Sequence, residues 1–168
     1  MANVSITPSV LSEMSTSNIS RKGGYDKIIN FDLTFTIDFA STNVVAGEYY
    51  LPLPESYLAR KYLRNIQIQF EALGTNTALS FGLLNFEKLQ TSKTNDKYVV
   101  DSAKVVDEKF ITSFATTSAQ DTWINKSKFS SSDYLFNDND YLVIKNSGTA
   151  DLTSGKIKIF LELYKFSQ

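Results

Sequence analysis

Ile29-Asn30-Phe31-Asp32-Leu33-Thr34-Phe35-Thr36-Ile37-Asp38-Phe39 alternates apolar and polar residues at every step. Successive side chains of a β-strand point to opposite faces. Ile29, Phe31, Leu33, Phe35, Ile37 and Phe39 therefore share one face, and Asn30, Asp32, Thr34, Thr36 and Asp38 share the other. The stretch predicts a long strand with one side in a core and one in water. Residues 65–72 and 156–166 repeat the pattern; in the latter Ile157, Ile159, Leu161 and Leu163 mark the inner face.

Working outward, Ser41-Thr42-Asn43 reads as the turn that ends the long strand. Residues 44–51 form a shorter strand candidate, stopped by Pro52 and Pro54. Residues 78–83 resume the period of two after Gly74-Thr75-Asn76. Residues 98–100 and 110–114 are strand candidates, with 104–109 ambiguous between them. Residues 140–145 read as a buried strand, followed by the turn signal Asn146-Ser147-Gly148. One short helix is expected near 55–63. A proline precedes it, Glu55 lies in its first turn, and Arg60 and Lys61 stand near its end, as the helix dipole favours.

The expected fold is all-β, an antiparallel β-sandwich of jelly-roll type with about seven to nine strands and no βαβ alternation. A chain of 168 residues suits one domain. Residues 25–168 are assigned to the sandwich and residues 1–24 to an N-terminal arm or leader. The 9–24 stretch is rich in Ser and Thr and ends in Lys22-Gly23-Gly24. It reads either as a poorly ordered leader or as an arm that orders on a neighbouring subunit.

The chain has no histidine and no cysteine. That removes the commonest general base, the commonest metal ligand and the usual partner of a catalytic serine. Seventeen basic residues nearly balance eighteen acidic ones, with no basic stripe, so a nucleic-acid partner is not expected. The N-terminus lacks the basic and apolar regions of a signal peptide, and no apolar run approaches membrane-spanning length. The expectation is a product made soluble in the cytoplasm, with no membrane partner.

Motif by motif, enzyme chemistry is not supported. Gly148 with Gly155-Lys156 departs from a phosphate loop in its spacing, in Ile157 after the lysine, and in the strand that follows. No Ser-x-x-Lys occurs to activate a serine without histidine. Asn137-Asp138-Asn139-Asp140, with Asp133 nearby, is the densest acidic stretch. Counted from Asp138, its sixth and twelfth positions are Val143 and Thr149, not the glycine and glutamate of a calcium loop. It reads as a hydrated turn. No enzyme, metal or cofactor is expected.

Two binding surfaces remain. Trp123, read as part of a polar loop, and Tyr49 with Tyr50 at a strand end are candidate glycan platforms, against ordinary packing. The last strand carries Phe160, Tyr164 and Phe166 on what should be its wet face, beside Lys156, Lys158 and Glu162. Aromatic side chains there imply a cover, either the protein's own N-terminal segment or another subunit.

The stretch from Asp140 to Ile159, Asp-Tyr-Leu-Val-Ile-Lys-Asn-Ser-Gly-Thr-Ala-Asp-Leu-Thr-Ser-Gly-Lys-Ile-Lys-Ile, resembles the end of small structural proteins of tailed bacteriophages. In those an acidic turn leads to a strand, a Gly-Thr turn and a last strand opening with Gly-Lys-Ile. The Ser/Thr leader, the long alternating strand and Leu51-Pro52-Leu53-Pro54 are also similar. The resemblance implies a virion component of head-decoration, minor capsid or head-fibre type. Its partners would be further copies of itself and other virion proteins, and it brings no catalytic residues. The competing expectation is a carbohydrate- or receptor-binding β-sandwich module.

Overall fold

A computed structural model describes residues 2–6, 15–16, 28–53, 57–85, 93–94, 97–100, 105–125 and 133–166, and every structural statement below concerns these. In chain order the strands are β1 (Ala2–Ile6), β2 (Ser15–Thr16), β3 (Ile28–Asn30), β4 (Leu33–Asp38), β5 (Tyr49–Leu51), β6 (Tyr62–Phe70) and β7 (Ala78–Asn85). They continue with β8 (Lys93–Thr94), β9 (Lys97–Val100), β10 (Val105–Ala115), β11 (Gln120–Asn125), β12 (Tyr134–Leu135), β13 (Asp140–Asn146) and β14 (Lys156–Phe166).

They form two sheets. The first runs β10-β7-β13-β5-β1-β9-β8, and the second runs β11-β6-β14-β4-β2 with β3 also on β14 and β12 on β6. The pairings are antiparallel except for β1 beside β5, which is parallel. Apolar side chains from both sheets share one core. Phe35, Ile37, Ile66, Ile68, Ile159 and Leu161 come from the second sheet, and Tyr50, Leu79, Phe81, Phe110, Leu142 and Ile144 from the first.

The 29–39 alternation holds through a local interruption. Leu161 pairs with Leu33 and Tyr164 with Asn30, so the register against β14 is unchanged on both sides of Phe31 and Asp32. At the break the Phe31 N–H donates to the Leu163 carbonyl at 2.7 Å. The Asp32 Oδ1 accepts from the Leu163 N–H at 3.1 Å, so a side chain does there what a backbone carbonyl does elsewhere.

Strand β13 is buried on both faces. Leu142 and Ile144 face the core, while Tyr141 and Val143 on the opposite side are also buried. This explains the near-continuous apolar run in a strand flanked by others. Its end is fixed by Asn146, wholly buried, whose Nδ2 donates to the carbonyls of Val44 (3.0 Å) and Ala150 (2.9 Å). Gly148 follows because any Cβ there would lie 2.5 Å from the Asn76 carbonyl oxygen.

Several expectations need correction. Among the described residues there is no helix. Residues 57–60 form a turn and β6 begins at Tyr62, while 54–56 lie outside the described residues. Arg60 has φ +60°, which a right-handed helix does not allow. The Arg60 N–H donates to Phe136 O at 2.8 Å and the Phe136 N–H to Lys61 O at 3.0 Å, so the segment is held from across the chain. Residues 44–51 shrink to β5, with Val44 forming an isolated bridge to Leu152. Trp123 lies in β11, not in a loop, and the ambiguous stretch from Val105 belongs to β10. The leader expected over 9–24 falls outside the described residues except for β2.

Candidate docking surface

The outer face of the second sheet carries the three aromatic residues picked from the last strand, in two groups. The first group forms around the cross-strand pair Tyr62 and Tyr164. Their rings stack with centroids 5.0 Å apart and planes 13° from parallel. Phe166 meets both edge-on, at 5.6 Å and 5.7 Å. Such ring geometries are favoured over face-to-face sandwiches and add to the area they bury.

A bulge positions the cation of this group. Glu162 pairs with Asn65 and Leu163 with Leu63, which leaves Arg64 as an extra residue on β6. Its guanidinium lies 4.5 Å from the Tyr164 ring centroid. Its Nε is 3.6 Å from the Asp133 carboxylate. The Tyr164 hydroxyl is hydrogen-bonded to the same carboxylate. Burial first, and then Asp133, pushes its pKa up to about 12. Tyr164 is consequently buried, whereas Phe166 is 45 % exposed.

The second group lies further along β14. Phe160 meets Trp123 at 6.3 Å and 64°, and Lys158 Nζ stands 5.7 Å from the Trp123 ring centroid. Trp123 is 42 % exposed. The two groups are thus on one face, but Tyr164 is already covered by Tyr62 and Arg64, so Phe166 and Trp123 are the exposed rings, with Tyr62 and Phe160 half-buried.

The other sequence candidates are placed differently. Tyr50 belongs to the core, 1 % exposed, and Tyr49 is buried in the first sheet, where its hydroxyl donates to Asp107 Oδ1 at 2.6 Å. Neither ring has a free face on which a sugar could stack. The acidic stretch lines a cleft of about 490 Å³ with Arg60, Asn85 and Leu135. There Asp138 takes a two-point hydrogen bond from Arg60 (2.8 and 3.0 Å), which holds its carboxyl below the usual range. Among the described residues no acidic, histidine or cysteine group is arranged to hold a metal.

Sequence reasoning passed over Tyr62, Arg64 and Asp133. Tyr62 fell inside the helix expected near 55–63; Arg64 is placed by the bulge and Asp133, noted only beside the acidic stretch, by the return of β12 to β6. Neither leaves a local signal.

No protein-family model matches the chain, and no curated protein matches it. Among solved structures, the capsid of Ralstonia phage GP4 is similar at 13 % identity and a TM-score of 0.47, over 92 % of this chain and 93 % of that one. A likeness at that level carries no functional inference.

Proposed function

We propose that the chain is a non-enzymatic structural protein of a tailed-phage particle, a jelly roll that docks on a larger assembly and on further copies of itself. The observation that carries this reading is the strand order. Leaving aside the short pieces, β4, β5, β6, β7, β10, β11, β13 and β14 pass between the sheets at every connection except β7 to β10. They end as β11-β6-β14-β4 facing β10-β7-β13-β5, the double-sheet arrangement that serves viral capsid and lectin domains.

A fold leaves function open. The resemblance of residues 140–159 to phage structural proteins and the aromatic face of β14 narrow it. In this reading Phe160 and Phe166 form the contact, the buried Tyr164 supports Phe166 edge-on, and the location is the virion. Neither a nucleic acid nor a cofactor has a part. Many copies make a weak contact effective through local concentration.

The test is mass spectrometry and antibody labelling in electron micrographs of particles purified from lysates that express the chain. Detection on the particle in fixed proportion to the capsid is the expected result. A chain abundant in the lysate and absent from purified particles overturns the proposal.

A further inference from the structure

We propose that the outer face of the second sheet also carries a carbohydrate-binding groove, with Trp123 at its rim. The groove has a volume of about 250 Å³ and lies where β4, β6, β11 and β14 meet. Its polar lining includes Thr36, Gln69, Gln120, Asp121, Lys156 and Lys158, with Phe70 and Glu71 completing the wall. Lys158 joins it to Trp123, since its Nζ stands over the exposed indole.

The hydrogen-bonding inventory fits a polyhydroxyl ligand. The Gln69 Nε2 donates to the Asp121 carbonyl, and the Gln120 Nε2 donates to Thr122 Oγ1 at 3.0 Å. Each amide is thereby oriented with its oxygen left to accept from a ligand. Lys156 is tied to Asp38 at 3.6 Å, while Lys158 supplies donors beside the indole. An exposed indole offers the apolar face on which the C–H side of a sugar ring packs, and the amides, hydroxyl and charges meet its hydroxyl edge.

Other ligand classes fit less well. The centre of a protein–protein contact is poor in charge and rich in apolar groups, whereas of the eight residues that line this groove four are charged and only Phe70 is apolar. A nucleic-acid strand needs net positive charge along its path. Here Lys156 and Lys158 are offset by Asp38, Glu71 and Asp121. What remains is a neutral or N-acetylated oligosaccharide.

Trp123 is the chain's single tryptophan, so indole emission reports on the edge of the groove where Trp123 meets Lys158 and Phe160. The purified full chain is titrated with chitohexaose, maltohexaose and purified bacterial O-polysaccharides, and with a single-stranded oligonucleotide and polyphosphate as anionic probes. A saturable shift in indole emission with at least one of the glycans is expected. By calorimetry, Trp123→Ala and the double variant Gln69→Ala, Gln120→Ala each bind that glycan at least about tenfold more weakly. Trp123→Phe keeps a ring and recovers part of the loss. Should Trp123→Ala melt at a lower temperature than the parent, the two glutamine substitutions decide. No shift with any glycan, equal binding by the glutamine variants, or a shift only with the anionic probes overturns the proposal. The outcome is independent of particle association, because only the isolated chain is used.

Discussion

Asp107 and Lys145 form an ion pair, Oδ2 to Nζ 2.7 Å, across the full width of β7, the strand that separates β10 from β13. The second Asp107 oxygen accepts from Tyr49 one strand further on, so a single carboxylate links β10 to β13 and β5. Two features permit the reach. Val106 pairs with Leu83 but Ile111 with Phe81, so the intervening residues bulge out of the ladder. Beneath the bulge stands Gly82, and a Cβ there would lie 2.3 Å from the Val106 carbonyl oxygen and 2.6 Å from that of Asp107.

Gly82→Ala is therefore expected to lift β10 off the sheet and destabilise the fold by about 1–3 kcal/mol, the usual penalty for overpacking against backbone that must move. Asp107→Asn weakens the same link without steric conflict and should cost less. Urea unfolding of the two variants checks the order. A Gly82→Ala midpoint equal to that of the parent would show that β10 does not lie on this glycine.

Alkaline pH tests the buried phenols. Burial, then Asp140, pushes Tyr134 up to about 12, burial and Asp133 do the same for Tyr164, and burial with Asp107 raises Tyr49 further. In the unfolded chain tyrosines lose their protons near pH 10. Above that pH the unfolded state binds fewer protons than the folded one, so stability falls as pH rises. The contribution is intact below about pH 10 and is lost on the way to about pH 12. The urea midpoint should fall steeply over that interval, and Tyr164→Phe should remove part of the slope. A flat profile with phenolate absorbance rising near pH 10 would contradict the burial of these hydroxyls.

Phe166 separates docking from folding. It is 45 % exposed and keeps only edge-on contacts with Tyr62 and Tyr164, so Phe166→Ser should cost stability no more than about 1 kcal/mol. If the aromatic face of β14 is a contact, the same substitution should lower the apparent mass in light scattering, or reduce binding to particles. Tyr164→Ser should damage both, because Tyr164 is stacked on Tyr62 and bonded to Asp133. Unchanged assembly in Phe166→Ser would remove this face from the contact.

Long alternating strands were legible because each has one wet and one buried face. Residues 156–166 coincide with β14, and the 29–39 alternation survives in register across the break at Phe31 and Asp32. Strand β11 was not legible, since it lies at the edge of its sheet with most of its residues exposed and so needs no apolar alternation. The expected helix near 55–63 failed for a non-local reason. Its charges and preceding proline satisfy helix rules, but the backbone of Arg60 and Lys61 is claimed by Phe136, distant in sequence. The candidate surface was half legible. Phe160, Tyr164 and Phe166 share a face as alternation demands, yet which of them stays exposed depends on Tyr62 and on Arg64, whose placement a bulge decides.

Asp140 gives the sharpest test of the turn before β13. The residue is buried, and its carboxylate accepts from Asn85 Nδ2 (2.7 Å), Asn137 N (2.8 Å), Asn137 Nδ2 (3.0 Å) and Tyr134 OH (3.2 Å). Every partner is a donor, so both oxygens are required as acceptors. Asp140→Asn keeps the shape but replaces one oxygen with an NH₂ that must face donors. Leaving such groups buried and unsatisfied costs about 1–3 kcal/mol, more where the lost acceptor was charged. The variant should unfold at correspondingly lower urea. A calcium-binding role for this stretch predicts instead that calcium raises the stability of the parent and not of the variant. Because donors already occupy both Asp140 oxygens, calcium is expected to shift neither, and a calcium-dependent rise in the parent's midpoint would overturn the reading of this segment as a hydrogen-bonded turn.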